Sequence, residues 1–152
     1  MKPFDSNKIK NVAILGHAGS GKTTMVEAML FEAGIINRRG TVEEGNTVSD
    51  YHDIEKQRGN SIFSTLLHLQ WKDNKINLID TPGFDDFVGE VISSLRVADT
   101  AIMVLNAQNG VEVGTELMWE YTEQFQTPMI FAINHIDHEK ADFDKTLEQA
   151  KQ

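Results

Sequence analysis

Apolar residues follow two patterns that alternate along the chain. Asn11–Leu15, Thr100–Leu105 and Pro128–Ile133 are short continuous apolar runs, the mark of strands buried on both faces. Thr23–Ala33 carries Met25, Val26, Met29 and Leu30 at helical spacing, with Gly34 placed to stop the helix. Phe84–Val97 puts Phe87, Val88, Val91, Ile92 and Leu95 on one helical face, and Val113, Leu117, Tyr121 and Phe125 mark another helix. Ser61–Trp71 and Lys75–Asp80 read as two strands around Lys72-Asp73-Asn74, an antiparallel hairpin. Asp142–Lys151 reads as a polar final helix. Ile35–Asn60 is polar, holds several glycines and charges, and has no clear period; connections of that length are usually functional or mobile. The order β-α-β-β-α-β-α-β-α predicts an α/β domain, a mostly parallel sheet with helices on both faces. Ligands of such sheets sit beyond the carboxyl ends of the strands.

The length of 152 residues fits one domain, and 40% apolar with 24% charged residues excludes a disordered, collagen-like or disulfide-stapled chain. Without cysteine there is no disulfide, catalytic thiolate or Cys-ligated zinc. The formal charge of −9 argues against this chain alone wrapping nucleic acid through its phosphates, and no direct DNA binding is expected. Met1–Lys10 is polar, with no secretory signal pattern, and runs such as Ala101–Leu105 are too short to span a bilayer. A soluble, cytoplasmic, monomeric protein with no membrane partner is expected.

The chemistry lies at the strand ends. Gly16-His17-Ala18-Gly19-Ser20-Gly21-Lys22-Thr23-Thr24 satisfies G-x-x-x-x-G-K-[ST] between a strand and a helix. Its glycines let backbone N–H groups wrap a phosphate, the helix adds its positive end, Lys22 reaches the β/γ-phosphates and the Thr23 hydroxyl ligates Mg²⁺. Asp80 closes an apolar strand and is followed by Thr81-Pro82-Gly83; the acid suits Mg²⁺ held through water, and the Gly83 N–H suits a γ-phosphate oxygen. Asn134-His135-Ile136-Asp137 follows the last strand. A carboxylate only accepts hydrogen bonds, so Asp137 suits guanine, whose ring N–H and amine form a donor pair that adenine lacks, while Asn134 braces the loops.

Together these residues resemble the translation-factor GTPases, in particular the elongation factor G-like branch and its diverged paralogues. The resemblance runs from about Ile9 to Phe143 and is carried by Gly16–Thr24, Gly45–Asp50, Arg58–Ile62, Asp80–Val91 and Asn134–Asp137. Glu55-Lys56-Gln57-Arg58-Gly59 is similar to release factor three, which shares much of the pattern with the ribosomal protection proteins. The resemblance implies a P-loop NTPase G domain, GTP/GDP and Mg²⁺ as ligands, and a ribosome-bound switch acting in translocation within a longer, multidomain protein. The family's nucleotide domain ends in a Ser-Ala loop, strand and helix with no match here, so residues 1–152 are expected to form an incomplete G domain, truncated at the C-terminal end.

Several positions depart from the family. The histidine that handles the attacking water is Phe84, which can neither donate nor accept. The aspartate of the phosphate loop is Gly19, the hydrophobic pair flanking the histidine is matched by Ala18 and Asn60, the switch threonine that reaches Mg²⁺ is Ser61, and the base-motif lysine is His135. The changes gather around hydrolysis rather than binding. They suggest GTP used as a conformational ligand with slow or dispensable hydrolysis, the switch being Ile35–Asn60 with Gly83–Phe84. Three alternatives stay open: an active GTPase whose water is handled by Asp85, Asp86 or a ribosomal element; a P-loop ATPase or kinase, against which Asp137 speaks; and a nucleotide-free interaction scaffold. His52, His68 and His138 are scattered and read as surface or loop, Trp71 and Trp119 read as packing residues, and Arg38 and Arg39 read as solvated.

Overall fold

The computed structural model describes residues 3–152. Its elements run β1 (Ile9–Leu15), α1 (Lys22–Glu32), α2 (Asp53–Arg58), β2 (Thr65–Trp71), β3 (Asn74–Asp80), α3 (Val88–Leu95), β4 (Thr100–Asn106), α4 (Val113–Gln124), β5 (Met129–Asn134) and α5 (Phe143–Ala150). The sheet order is β2-β3-β1-β4-β5. Only β2 runs antiparallel to its neighbour; β3, β1, β4 and β5 are parallel. The expected mostly parallel sheet with helices on both faces is the observed architecture.

Alternation along the central strands divides the core in two. Val12 and Ile14 of β1 pack with Leu78, Val104 and the α1 residues Val26 and Leu30. Ala13 and Leu15 face the other way, joining Met103, Leu105, Val91 and Leu95 of α3 and Met118 of α4, with Ala150 of α5 alongside. Each fully buried aliphatic side chain contributes ~1.5–3 kcal/mol, so the strand–helix order follows from burying both faces of a continuous apolar strand.

Four details depart from the sequence pattern. First, α2 interrupts the connection read as aperiodic. Asp53–Arg58 has no apolar stripe; the helix is held by the Glu55 carboxylate at its start and by Gly59 in the left-handed conformation at its end (φ +65°). Second, β2 starts at Thr65 rather than Ser61. The Ile62 and Phe63 N–H groups donate to Glu55 and that of Ser64 to Glu90, so they are not free to join the ladder. The hairpin turn is correspondingly tight: Trp71 pairs with Asn74 across Lys72-Asp73. Third, Phe84–Val97 is not one helix: a 3-10 turn at Asp85–Phe87 precedes α3, and Val97 lies exposed beyond it. Fourth, α4 is rotated. Val113 is 78% exposed, and Gly114, Thr115, Met118 and Thr122 are buried instead. A strict i, i+4 series drifts by about 40° per step on a 3.6-residue helix, so it does not track the buried stripe.

Candidate nucleotide site

The four parallel strands end along one edge. There β1 runs into the loop Gly16–Gly21, β3 ends in Asp80, and β5 ends in Asn134. The loop turns because Gly16, Gly19 and Gly21 all take positive φ (+141°, +78° and +89°). At Gly21 a side chain is also excluded by crowding: a Cβ there would collide with Asn134 Nδ2 and stand 3.1 Å from His135 Nε2. Asn134 Nδ2 donates to the Ser20 carbonyl (3.0 Å), tying the base-side loop to the phosphate loop.

Lys22 is buried, and its ammonium donates to the carbonyls of Gly16 (2.8 Å) and His17 (3.0 Å). Burial lowers its pKa to about 8, against the opposing pull of Asp80 and Asp50. A cation held mainly by loop carbonyls is prepared for a phosphate anion. Gly83 closes the other wall. Its carbonyl accepts from the Ala18 N–H (3.0 Å), and a Cβ on it would collide with Lys22 Nζ and lie 2.6 Å from Ala18 N.

These pieces surround a cavity of ≈250 Å³, lined by Ala18, Gly19, Gly21, Lys22, Thr23 and Thr24, by Val42, Glu43, Asp50 and Gly59–Ser61, and by Gly83, Phe84 and His135. The Thr23 and Ser61 hydroxyl oxygens lie 3.3 Å apart. Adjacent ligands of an octahedral magnesium ion, each ~2.0–2.1 Å from the metal, are about 2.9 Å apart, so the pair fits two neighbouring positions. Asp80 is 2% exposed, and neither carboxylate oxygen has a hydrogen-bond partner. Burial raises its pKa to about 6, opposed by the nearby Ser49 and Thr23 hydroxyls and the Lys22 ammonium. Asp50 is also raised, chiefly by burial, and its Oδ2 is likewise unpartnered. Orphaned carboxylates beside paired hydroxyls are a hard-cation donor set. Among the described residues no cluster of three or more His, Cys, Asp or Glu could hold a metal, so a cation here would need phosphate or water oxygens as further ligands.

Most of the anticipated residues line this cavity; Gly16, His17, Ser20, Asp80, Asn134 and Asp137 do not. His17 stands beside Glu112 (Nε2–Oε1 3.6 Å), its carbonyl turned to Lys22. Asp137 is exposed on the loop after β5. Phe84 lines the cavity and is 40% exposed. Trp119 stacks on Phe131 at 5.6 Å and serves packing. Three acids in and around the switch region are buried: Glu27, which the sequence reading does not mark, and Asp50 and Glu55, which enter it only as members of the stretches Gly45–Asp50 and Glu55–Gly59 and without a role of their own. Glu27 of α1 accepts from the N–H groups of Gly40 and Val48, fastening the connection to the phosphate-loop helix. Beyond membership of those stretches, the only signal of their burial is acidity in or next to an aperiodic stretch, which a solvated loop shares.

A glycine-rich loop between a buried strand and a helix, with a buried lysine and an orphaned acid, defines a P-loop nucleotide-binding domain. Residues 7–152 match the family described as the elongation factor Tu GTP binding domain, and the chain belongs to that family. Among curated proteins it is 43% identical over 147 residues to the mitochondrial ribosome-releasing factor 2 of Candida dubliniensis, covering 97% of this chain and 18% of that protein. It is 42% identical over 146 residues to the protein of the same name from Drosophila melanogaster, covering 96% and 20%. The chain thus spans about a fifth of the length of these relatives. Among solved structures, a protein of Thermus thermophilus superposes with a TM-score of 0.91 at 38% identity, covering 95% of this chain and 22% of that one. The elongation factor SelB of Methanococcus maripaludis, in complex with a GTP analogue, shares the fold (TM-score 0.69, 22% identity, 99% and 26% covered). No helix among the described residues is long and apolar enough to cross a membrane.

Proposed function

We propose that this chain is the GTP-binding part of an elongation factor G-like ribosomal factor in which GTP·Mg²⁺ acts chiefly as a conformational ligand and hydrolysis is weakened. In this reading Gly16–Thr24 and Gly83 hold the phosphates, Asn134, His135 and Asp137 read guanine, and Thr23, Ser61 and Asp80 hold the cation, which when bound neutralises charge on the phosphates. The connection 35–60 and Gly83–Phe84 form the switch. The ribosome is the partner, and the compartment is that of the ribosome served: cytoplasmic by the sequence reading, although the relatives above are named as mitochondrial.

The observation that carries the reading is Phe84. It occupies the cavity wall directly after Gly83, where the resemblance calls for histidine. A phenyl ring can neither orient water nor stabilise charge, and phosphoryl transfer depends on both. Two polar side chains beside this wall, those of Asp85 and His17, stand at the start of α4. The Asp85 carboxylate lies against Gly114 at the start of α4, 3.0 Å from where a Cβ would stand, and His17 is turned to Glu112. Losing one preorganised group of this kind costs ~10²–10³ in rate. Single-turnover GTP hydrolysis on ribosomes, comparing the native protein with Phe84→His, tests this. A gain of that order supports it; native turnover already as fast as that of the variant contradicts it.

A further inference from the structure

We infer that Glu55 is the positioning residue for the Ser61 hydroxyl, and so sets how much more tightly the site holds a triphosphate with Mg²⁺ than a diphosphate. This rests on the reading of the site given above. Glu55 is 0% exposed and sits in the first turn of α2. Five backbone N–H groups from a single stretch converge on it. Its side chain accepts from His52 (3.3 Å), Ile62 (2.9 Å) and Phe63 (3.1 Å). Its carbonyl accepts from Gly59 (2.7 Å) and Asn60 (3.3 Å). The residues held are those on either side of Ser61, so the backbone at Ser61 is clamped before and after.

The clamp bears on the hydroxyl through the backbone it fixes. Ser61 Oγ stands 3.3 Å from Thr23 Oγ1 across the cavity, the only side-chain link between 59–61 and the phosphate-loop helix among the described residues. Serine lacks the second γ atom that stiffens threonine at χ1, so its own rotamer holds this oxygen less firmly, and a fixed backbone removes one of the two sources of its freedom. Glu55 has no cationic partner among the described residues; its charge is balanced by N–H donors alone. Charge-assisted bonds of that kind are roughly twice as strong as neutral ones. The clasp is finished by the His52 ring packed edge-on against Phe63 at 5.0 Å.

The test measures the affinity of the protein for GDP and for a non-hydrolysable GTP analogue, each with and without Mg²⁺, in the native chain, Glu55→Ala, Ser61→Ala and the double variant. Glu55→Ala is expected to weaken the analogue with Mg²⁺ about tenfold while GDP changes less than about twofold. Ser61→Ala is expected to show the same selective loss, and the double variant no further loss, because both changes remove one interaction. Equal weakening of GDP and analogue, or losses that multiply in the double variant, would overturn the inference and make Glu55 a purely structural residue. If Glu55→Ala does not fold, Glu55→Gln replaces it: the amide keeps one acceptor and loses the charge, and a loss confined to the analogue is again expected. Should the native chain bind neither guanine nucleotide, the site reading itself fails, an outcome distinct from the other two.

Discussion

Asp80→Asn should stabilise the ligand-free protein while damaging its site. In the fold, burial displaces the Asp80 pKa from 3.8 to about 6. A tenfold change in acidity is ~1.4 kcal/mol, so ionised Asp80 disfavours the folded state by about 3 kcal/mol wherever both folded and unfolded forms are charged. Asparagine keeps the shape and removes the charge, so at pH 7.5 the variant should gain up to about 3 kcal/mol. For a domain of this length that is roughly 6–12 °C in Tm. At pH 4 the native carboxyl is already protonated in the fold and the advantage should largely vanish. Thermal unfolding of the ligand-free pair at both pH values measures the effect, and titration with GDP and Mg²⁺ measures its counterpart, a weakened dependence on the cation. A variant less stable than the native protein at pH 7.5 would refute the reasoning, since it would mean that the charge is compensated within the fold. A destabilising charge kept at a strand end is what a cation site requires of the empty protein.

The remaining expectations concern the same neighbourhood and one helix cap. Ligand-free stability should fall as pH rises from about 4 to 6, because the fold binds the Asp80 proton more tightly than the unfolded chain does, and should climb again from about 8 to 10.5, because Lys22 ionises less readily in the fold. Saturating GDP should suppress the alkaline climb, since a phosphate restores a partner to the Lys22 ammonium; calorimetry across the pH range checks both limbs. Gly83→Ala places a carbon 2.6 Å from Ala18 N, a backbone atom with no room to yield; nucleotide affinity should drop at least about tenfold in a protein that still unfolds cooperatively. Asp142→Ala removes the side-chain bond from Lys145 N (2.9 Å) that caps α5 and should cost about 1 kcal/mol in urea unfolding, with GDP binding unchanged.

The apolar strands and the phosphate loop are legible in the sequence because each is written in consecutive residues: unbroken apolar runs for β1, β4 and β5, and a fixed glycine and lysine spacing for the loop; the run in β5 nevertheless lies at the sheet edge, only partly buried, with Ile130 exposed. The switch region is not legible in this way. Its shape is set by Glu27, Asp50 and Glu55, single acids that become structural only when distant N–H groups reach them, and an acid in a polar stretch looks the same whether buried or solvated. The start of β2 differs from the sequence reading for that reason: Ser61–Ser64 has strand composition, but the amides of Ile62, Phe63 and Ser64 are already engaged by Glu55 and Glu90. On α4 the apolar series starts at Val113, while the buried stripe runs through Gly114, Thr115, Met118 and Thr122, where small residues flank the one large apolar side chain that enters the core. Phe84 is evident from the sequence alone as a departure from the family; the structure adds that it lines the cavity beside Gly83.

The central claim is that this cavity holds a guanine nucleotide through Lys22 and the loop amides. Calorimetric titration of the protein with GDP and Mg²⁺, repeated for Lys22→Ala and with ATP in place of GDP, tests it most directly. Saturable GDP binding at one site is expected, with a loss of at least about a hundredfold in Lys22→Ala and no comparable heat with ATP. Binding of GDP that survives loss of the lysine, or ATP bound as tightly as GDP, would contradict it.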